Sequence, residues 1–197
     1  ESKENGISIN LGPGGNLHRN ILCGRHPEYY SEDPILTGTL MAYQARGLEE
    51  NGVIATYKHL IANNMEFERK SAHGIIDENT LRDLYLRVFD KAFSLYKPGC
   101  VMTSYNPVNG IYPCENAALL NDLLRGEWDF DGFVMTDWGS YDTADSIRSV
   151  CAGTNLLTPG SKKHFRMILK AVKRNEISKA ALQHSVKQIA KVLVRCI

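Results

Sequence analysis

Short apolar runs rich in β-branched residues alternate along this chain with longer stretches of helical periodicity. That alternation narrows the fold to βα units around a parallel sheet. Five strand candidates stand out, at residues 7–11, 53–57, 100–104, 132–136 and, more weakly, 154–157. Between them apolar residues recur at three and four. The plainest case follows the capping residue Asp77, with Leu81, Leu84, Tyr85, Val88, Phe89 and Ala92 on one face. Further helices are expected at 35–48, at 116–125 closed by Gly126, at 144–150, 165–173 and 178–194. The chain opens almost directly into a strand and closes on two helical segments, with no strand between Lys173 and Ile197. An eight-stranded barrel takes about 250 residues. Five units in 197 residues therefore point to an α/β fold that is part of a (β/α)8 TIM-like barrel, or to a small doubly wound sheet.

Composition removes several classes. Lys and Arg number 23 against 22 Asp and Glu, for a net charge of +1, and 43% of residues are hydrophobic, which excludes disorder, collagen and coiled coil. A chain of this length buries roughly 70% of its unfolded surface, so a single domain with a real core is expected. There is no basic stripe and no aromatic-basic interleaving, and nucleic acid is set aside as a partner. No apolar run approaches the roughly 20 residues of a membrane helix. The N-terminal Glu-Ser-Lys-Glu-Asn-Gly lacks the basic start and apolar centre of a signal peptide, so no membrane partner is expected. Cys23, Cys100, Cys114, Cys151 and Cys196 are odd in number, scattered and free of CxxC spacing. They indicate neither a disulfide framework nor a zinc site and fit a reducing, cytoplasmic compartment. The first residue is not Met, which reads as a fragment, a processed chain or a trimmed piece and leaves a removed signal peptide open.

In parallel α/β architectures ligands bind beyond the C-terminal ends of the strands, so the residues just past each run are the informative ones. The run from Val53 ends in Lys58-His59, that from Cys100 in Tyr105-Asn106, and that from Gly132 in Asp137-Trp138. A carboxylate, a phenol, an amine, an imidazole and an indole then converge on one face, which is hard to obtain by chance. Each has a plainer reading beside the functional one. Asp137 reads as a nucleophile kept ionised by Lys58 or His59, or as a helix cap or structural ion pair. Lys58 reads as a salt-bridge partner or a Schiff-base amine, His59 as a satisfied structural histidine, and Tyr105 as a cap on the barrel mouth. Met102 reads as a core residue, and Trp138 as packing or a sugar-stacking platform. His18, His26, His73, His164 and His184 show no HxxxH or HxH spacing, so no metal is expected. Gly12-Pro-Gly-Gly15 lacks the phosphate-cradle patterns and reads as a turn.

Six strings together resemble one family. They are Leu11-Gly-Pro-Gly-Gly-Asn-Leu-His-Arg-Asn20, Cys23-Gly-Arg-His-Pro-Glu-Tyr-Tyr-Ser-Glu-Asp-Pro34, Lys58-His-Leu-Ile-Ala-Asn-Asn64, Glu66-Phe-Glu-Arg69, Val101-Met-Thr-Ser-Tyr-Asn106 and Phe130-Asp-Gly-Phe-Val-Met-Thr-Asp-Trp138. In order and spacing they are similar to the first domain of family-3 glycoside hydrolases, especially bacterial-type β-glucosidases, from about Ile9 to the C-terminus.

The resemblance implies a retaining hydrolysis of terminal β-D-glucosyl residues in which Asp137 is the nucleophile and carries a glycosyl ester. It implies that Arg25, Lys58, His59 and Arg69 bind sugar hydroxyls, that Tyr105 hydrogen-bonds the nucleophile, that Met102 lines the subsite and that Trp138 stands beside Asp137. No cofactor is implied; the partner is a β-glucoside or oligosaccharide. Three departures accompany it. The string after Lys58-His59 is not the Phe-Pro-Gly-His-Gly of the β-N-acetylhexosaminidase branch. His26-Pro27 stands in the usual Gly-Arg-Asn-Phe-Glu string. Asn155 stands where aspartate is common, which removes an ionic role there.

On this resemblance residues 1–197 form a partial barrel domain carrying the nucleophile. The first strands, and the second, sandwich-type domain that supplies the acid/base glutamate, are absent from the chain. The alternatives are a β-xylosidase or α-arabinofuranosidase of the same family, a Schiff-base lyase on Lys58, and a non-catalytic barrel fragment needing a partner segment at its sheet edge.

Overall fold

The structure is a computed structural model and describes residues 1–196. Four parallel strands form one sheet, β1 (Ile9–Asn10), β2 (Ile54–Leu60), β3 (Cys100–Thr103) and β4 (Phe133–Thr136), ordered β1-β2-β3-β4. Each strand pairs with the next in sequence: Ile9 lies opposite Ile54, Tyr57 opposite Val101, and Met102 opposite Met135. The order never reverses, as a doubly wound sheet requires; it is that of a barrel arc.

Helix α1 (Pro34–Glu50) links β1 to β2. Asp33 caps it through the Leu36 N–H at 2.7 Å, with Pro34 at the first turn where no donor is needed. The β2–β3 link is one continuous helix of α2 (Glu78–Thr80), a π-wound stretch Leu81–Leu86, and α3 (Arg87–Leu95), capped by Asp77 as the pattern predicts. A second π-wound helix, Ala118–Glu127, links β3 to β4. It runs past Gly126, the expected stop. The left-handed residue that turns the chain away is Asp129 (φ 51°), because Trp128 is drawn inward to stack on Phe93, ring centroids 5.3 Å apart. Helices α4 (Ser146–Ala152), α5 (Lys162–Lys173) and α6 (Lys179–Leu193) complete the chain.

Alternation along the strands divides the core in two. Ala55, Tyr57, Val101 and Val134 face the helices and join Met41, Phe89, Phe93 and Leu120 in the larger cluster. Ile54, Cys100, Met102, Phe133 and Met135 line the other face, where Val192 covers them. With both faces buried, the strands read as continuous apolar runs.

Three strand expectations change. Strand β2 runs on to Leu60, so Lys58 and His59 lie within it and not past its end. Strand β1 is two residues rather than five. The run 154–157 is not a strand but an isolated parallel bridge between Met135 and Leu156. There the Asn155 side chain takes the Val134 N–H at 2.7 Å and does the work of a strand backbone. The same amide accepts from Arg125 at 2.9 Å and donates to Ser185 and Gln188 at 3.1 and 3.0 Å. Arg125 thus has a neutral partner at this position, and burial alone lowers its guanidinium to about 10.

Glycine 132 lets β4 close on β3. A Cβ there would run into the Gly99 carbonyl and sit 2.7 Å from the Phe130 ring. Gly132→Ala is expected to cost about 1–3 kcal/mol and to lower the melting temperature by roughly 5 °C. Gly47, within α1 and facing open space, is the control. Gly47→Ala should stabilise by about 0.5–1 kcal/mol. Thermal denaturation of both variants checks the pair, and equal signs would refute this account of the β3–β4 contact.

Candidate active site

The polar residues collect at the C-terminal ends of β2, β3 and β4. Beyond Tyr57 the register of β2 against β3 shifts, and other groups take up the backbone of Lys58 and His59. Gly15 N–H donates to the Lys58 carbonyl at 2.5 Å. The Asn16 side chain donates to the His59 carbonyl at 2.9 Å and accepts the His59 N–H at 3.0 Å. The Lys58–His59 peptide is cis. Past it, the Ser104 hydroxyl accepts the Ile61 N–H at 3.1 Å and donates to the Ile61 carbonyl at 2.7 Å.

Asp137 ends β4 in a buried position. Its Oδ1 accepts the Trp138 N–H at 2.7 Å. Its Oδ2 is buried, has no hydrogen-bond partner and lies 3.5 Å from His59 Nε2. Burial raises the Asp137 carboxyl above its ordinary value, against the opposing pull of the Trp138 N–H, Arg25, Tyr105 and Lys58. Burial, reinforced by Arg25, Lys58 and Arg69, holds the His59 imidazole well below its ordinary value and therefore neutral. The 3.5 Å approach of the two is thus not an ion pair.

Three cations surround this pair, each held by a carboxylate. Arg25 pairs with Glu28 and lies 3.6 Å from Glu66, while one of its Nη atoms meets His59 Nε2 at 2.9 Å. Lys58 Nζ lies 3.1 Å from Glu28, and Arg69 bonds Glu66 at 2.7 Å. The Arg69 guanidinium also stacks 4.6 Å from the Tyr105 ring centre. The Tyr105 hydroxyl donates its proton to the Trp138 carbonyl at 2.7 Å, and burial followed by the nearby Asp137 charge pushes that phenol up to about 12. With His59 neutral, Arg25, Lys58 and Arg69 balance Glu28, Glu66 and Asp137.

Arg25, Lys58, His59, Arg69, Tyr105 and Asp137 are therefore brought together. Trp138 stands at the rim, 60% exposed, and Met102 lies in the apolar cluster of the inner face. Sequence reasoning did not single out Asn16, Glu28, Tyr29 or Glu66. For the two glutamates a signal was there in the spacing: Glu28 stands three residues after Arg25, and Glu66 three before Arg69.

The Asp137 shift sets a sign. The folded carboxyl titrates above its ordinary 3.8, so folding is penalised wherever the unfolded group is ionised. The penalty is absent below that value and complete above the folded one. Asp137→Asn should raise the melting temperature at pH 7, and the gain should shrink toward pH 3.8. His59 acts in the opposite direction: its contribution is complete above its ordinary 6.5 and declines as the pH falls beneath that. Thermal melts of the wild type and Asp137→Asn across this range test the first sign; a lower midpoint for the variant at pH 7 would contradict it.

The Glycosyl hydrolase family 3 N terminal domain matches residues 1–192. Thermostable beta-glucosidase B of Acetivibrio thermocellus is 41% identical over 194 residues, covering 98% of this chain and 25% of that protein. Among solved structures, beta-glucosidase 3B from Thermotoga neapolitana in complex with glucose superposes with a TM-score of 0.94 at 40% identity, over 98% of this chain and 28% of that one. Beta-glucosidase from Kluyveromyces marxianus in complex with glucose gives 0.93 at 33% identity, over 100% and 24%. The chain spans about a quarter of the length of these relatives. A parallel barrel arc with cations and a buried carboxylate at its strand ends, matched over nearly its whole length by that domain, belongs to glycosyl hydrolase family 3.

Proposed function

We propose that this chain carries the nucleophile half of a retaining β-glucosidase acting on terminal β-D-glucosyl residues. The observation that carries the reading is the state of Asp137: one carboxylate oxygen is capped by the Trp138 N–H, and the other is buried, unpartnered and flanked by donors. The relatives named beta-glucosidases, two of them solved with glucose, support the sugar class.

In this reading Asp137 Oδ2 attacks the anomeric carbon as the bond to the leaving oxygen breaks. The electron pair leaves with that oxygen, which takes a proton from an acid. Water then attacks the anomeric carbon of the glycosyl ester, giving its proton to the conjugate base of that acid, and Asp137 leaves as carboxylate. Arg25, Lys58 and Arg69 donate to sugar hydroxyls, and neutral His59 accepts from one. Glu28 and Glu66 hold those cations in position. Trp138 offers an exposed face beside the reacting carbon, and Met102 closes the apolar floor. The acid/base glutamate comes from outside residues 1–197, in a second domain of the whole protein. A Schiff-base role for Lys58 fits less well, because its Nζ is already paired with Glu28.

Labelling with 2,4-dinitrophenyl 2-deoxy-2-fluoro-β-D-glucoside, whose leaving group departs without an acid, tests the proposal. Intact mass and peptide mapping should find one fluoroglucosyl group on Asp137. Asp137→Asn should take up none. An adduct elsewhere, or none on the full-length enzyme, would sink the assignment.

A further inference from the structure

His59 Nδ1 has two neighbours, and one of them can act only as an acceptor. Asn16 Oδ1 lies 3.1 Å from Nδ1, and the Tyr29 hydroxyl 3.2 Å. The orientation of the Asn16 amide is not a free choice. Its NH2 faces the His59 carbonyl and its oxygen faces the His59 N–H, at 2.9 and 3.0 Å, and backbone groups are one-way donors and acceptors. A flipped amide would set donor against donor and acceptor against acceptor. The oxygen that meets Nδ1 is therefore fixed, and Nδ1 must bring the proton. Asn16 and His59 are 3% and 1% exposed, so water is a poor substitute partner. The Tyr29 hydroxyl both donates and accepts, so it follows whichever form the ring takes.

We infer that Asn16 is a positioning residue that keeps the His59 proton on Nδ1, so that Nε2 faces Arg25 and Asp137 as a lone pair. Its catalytic consequence rests on the glycosidase reading above; the protonation state itself does not. A carboxylate 3.5 Å from Nε2 would otherwise draw the proton to that nitrogen, since a hydrogen bond to a charged acceptor is roughly twice as strong as a neutral one. An Nε2–H would then occupy the oxygen of Asp137 that must attack, and would point a second donor at Arg25. By holding the proton on the far side of the ring, Asn16 leaves that oxygen uncapped. It also leaves an acceptor beside the Arg25 donor, a pairing that suits a free hydroxyl, which both donates and accepts.

The experiment is long-range 1H–15N correlation of the imidazole nitrogens in 15N-labelled protein, for the wild type, Asn16→Ala and Arg25→Met. The inference expects protonated Nδ1 and pyridine-type Nε2 in the wild type, the same pattern in Arg25→Met, and a shift of population toward Nε2–H in Asn16→Ala. In the full-length enzyme, the saturating rate of labelling by the dinitrophenyl fluoroglucoside should fall about tenfold or more in Asn16→Ala. The half-saturating concentration should change less. Nε2–H in the wild type overturns the inference, as does an unchanged pattern in folded Asn16→Ala. Should Asn16→Ala not fold, Arg25→Met decides: a retained Nδ1 proton supports Asn16 as the determinant, and a lost one transfers that role to Arg25. A wild type that shows the expected protonation but takes no label on Asp137 refutes the glycosidase reading and leaves the inference about Asn16 standing.

Discussion

The site depends on how the backbone of β2 is satisfied after its ladder with β3 loses register. Up to Tyr57 the strand is bonded on both edges and buried on both faces. At Lys58 and His59 the pairing with β3 is interrupted before it resumes at Leu60 opposite Thr103, and these peptide groups stay in a buried environment where unpaired N–H and C=O groups are costly. Gly15, Asn16 and Ser104 supply the missing partners for this segment. A central strand is thereby held in shape across an irregularity, and that irregularity sets the side chains of Lys58 and His59 among those from the ends of β3 and β4.

Charge is the second constraint. Three cations and three carboxylates packed at the ends of parallel strands would be unstable if any were left alone, because an unpaired buried charge is costly. Pairing within the loops solves this locally. Arg25 and Glu28 come from one turn, Arg69 and Glu66 from another, and Glu28 reaches across to Lys58. The group left without a fixed cation is Asp137, whose second oxygen is bare. A buried carboxylate oxygen without a hydrogen-bond partner is held there at some cost in stability.

Much of this was legible from the residues. The alternation of runs predicts four of the parallel strands and most of the helices, because burial on both faces leaves a compositional mark. The strand-end rule selects Lys58, His59, Tyr105 and Asp137 before any contact is known. Other features were not legible. The run 154–157 has strand composition, but an Asn side chain takes over the ladder bond, and apolar patterning does not record which atom fills a bond. Gly126 looks like a helix stop, but the stacking of Trp128 on Phe93 carries the helix beyond it, a long-range preference that outweighs a local one.

The sequence by itself determined the architecture and most of the candidate site residues, since both follow from periodicity, spacing and similarity of short strings. Only the tertiary structure decided their states. Whether Asp137 has a free oxygen, whether His59 is charged and which of its nitrogens carries the proton depend on burial and on partners remote in sequence. Asn16 lies 43 residues from His59 and Arg25 lies 34. Protonation is a property of the surrounding field and its donors and acceptors, and that field exists only once the strands have brought these residues together.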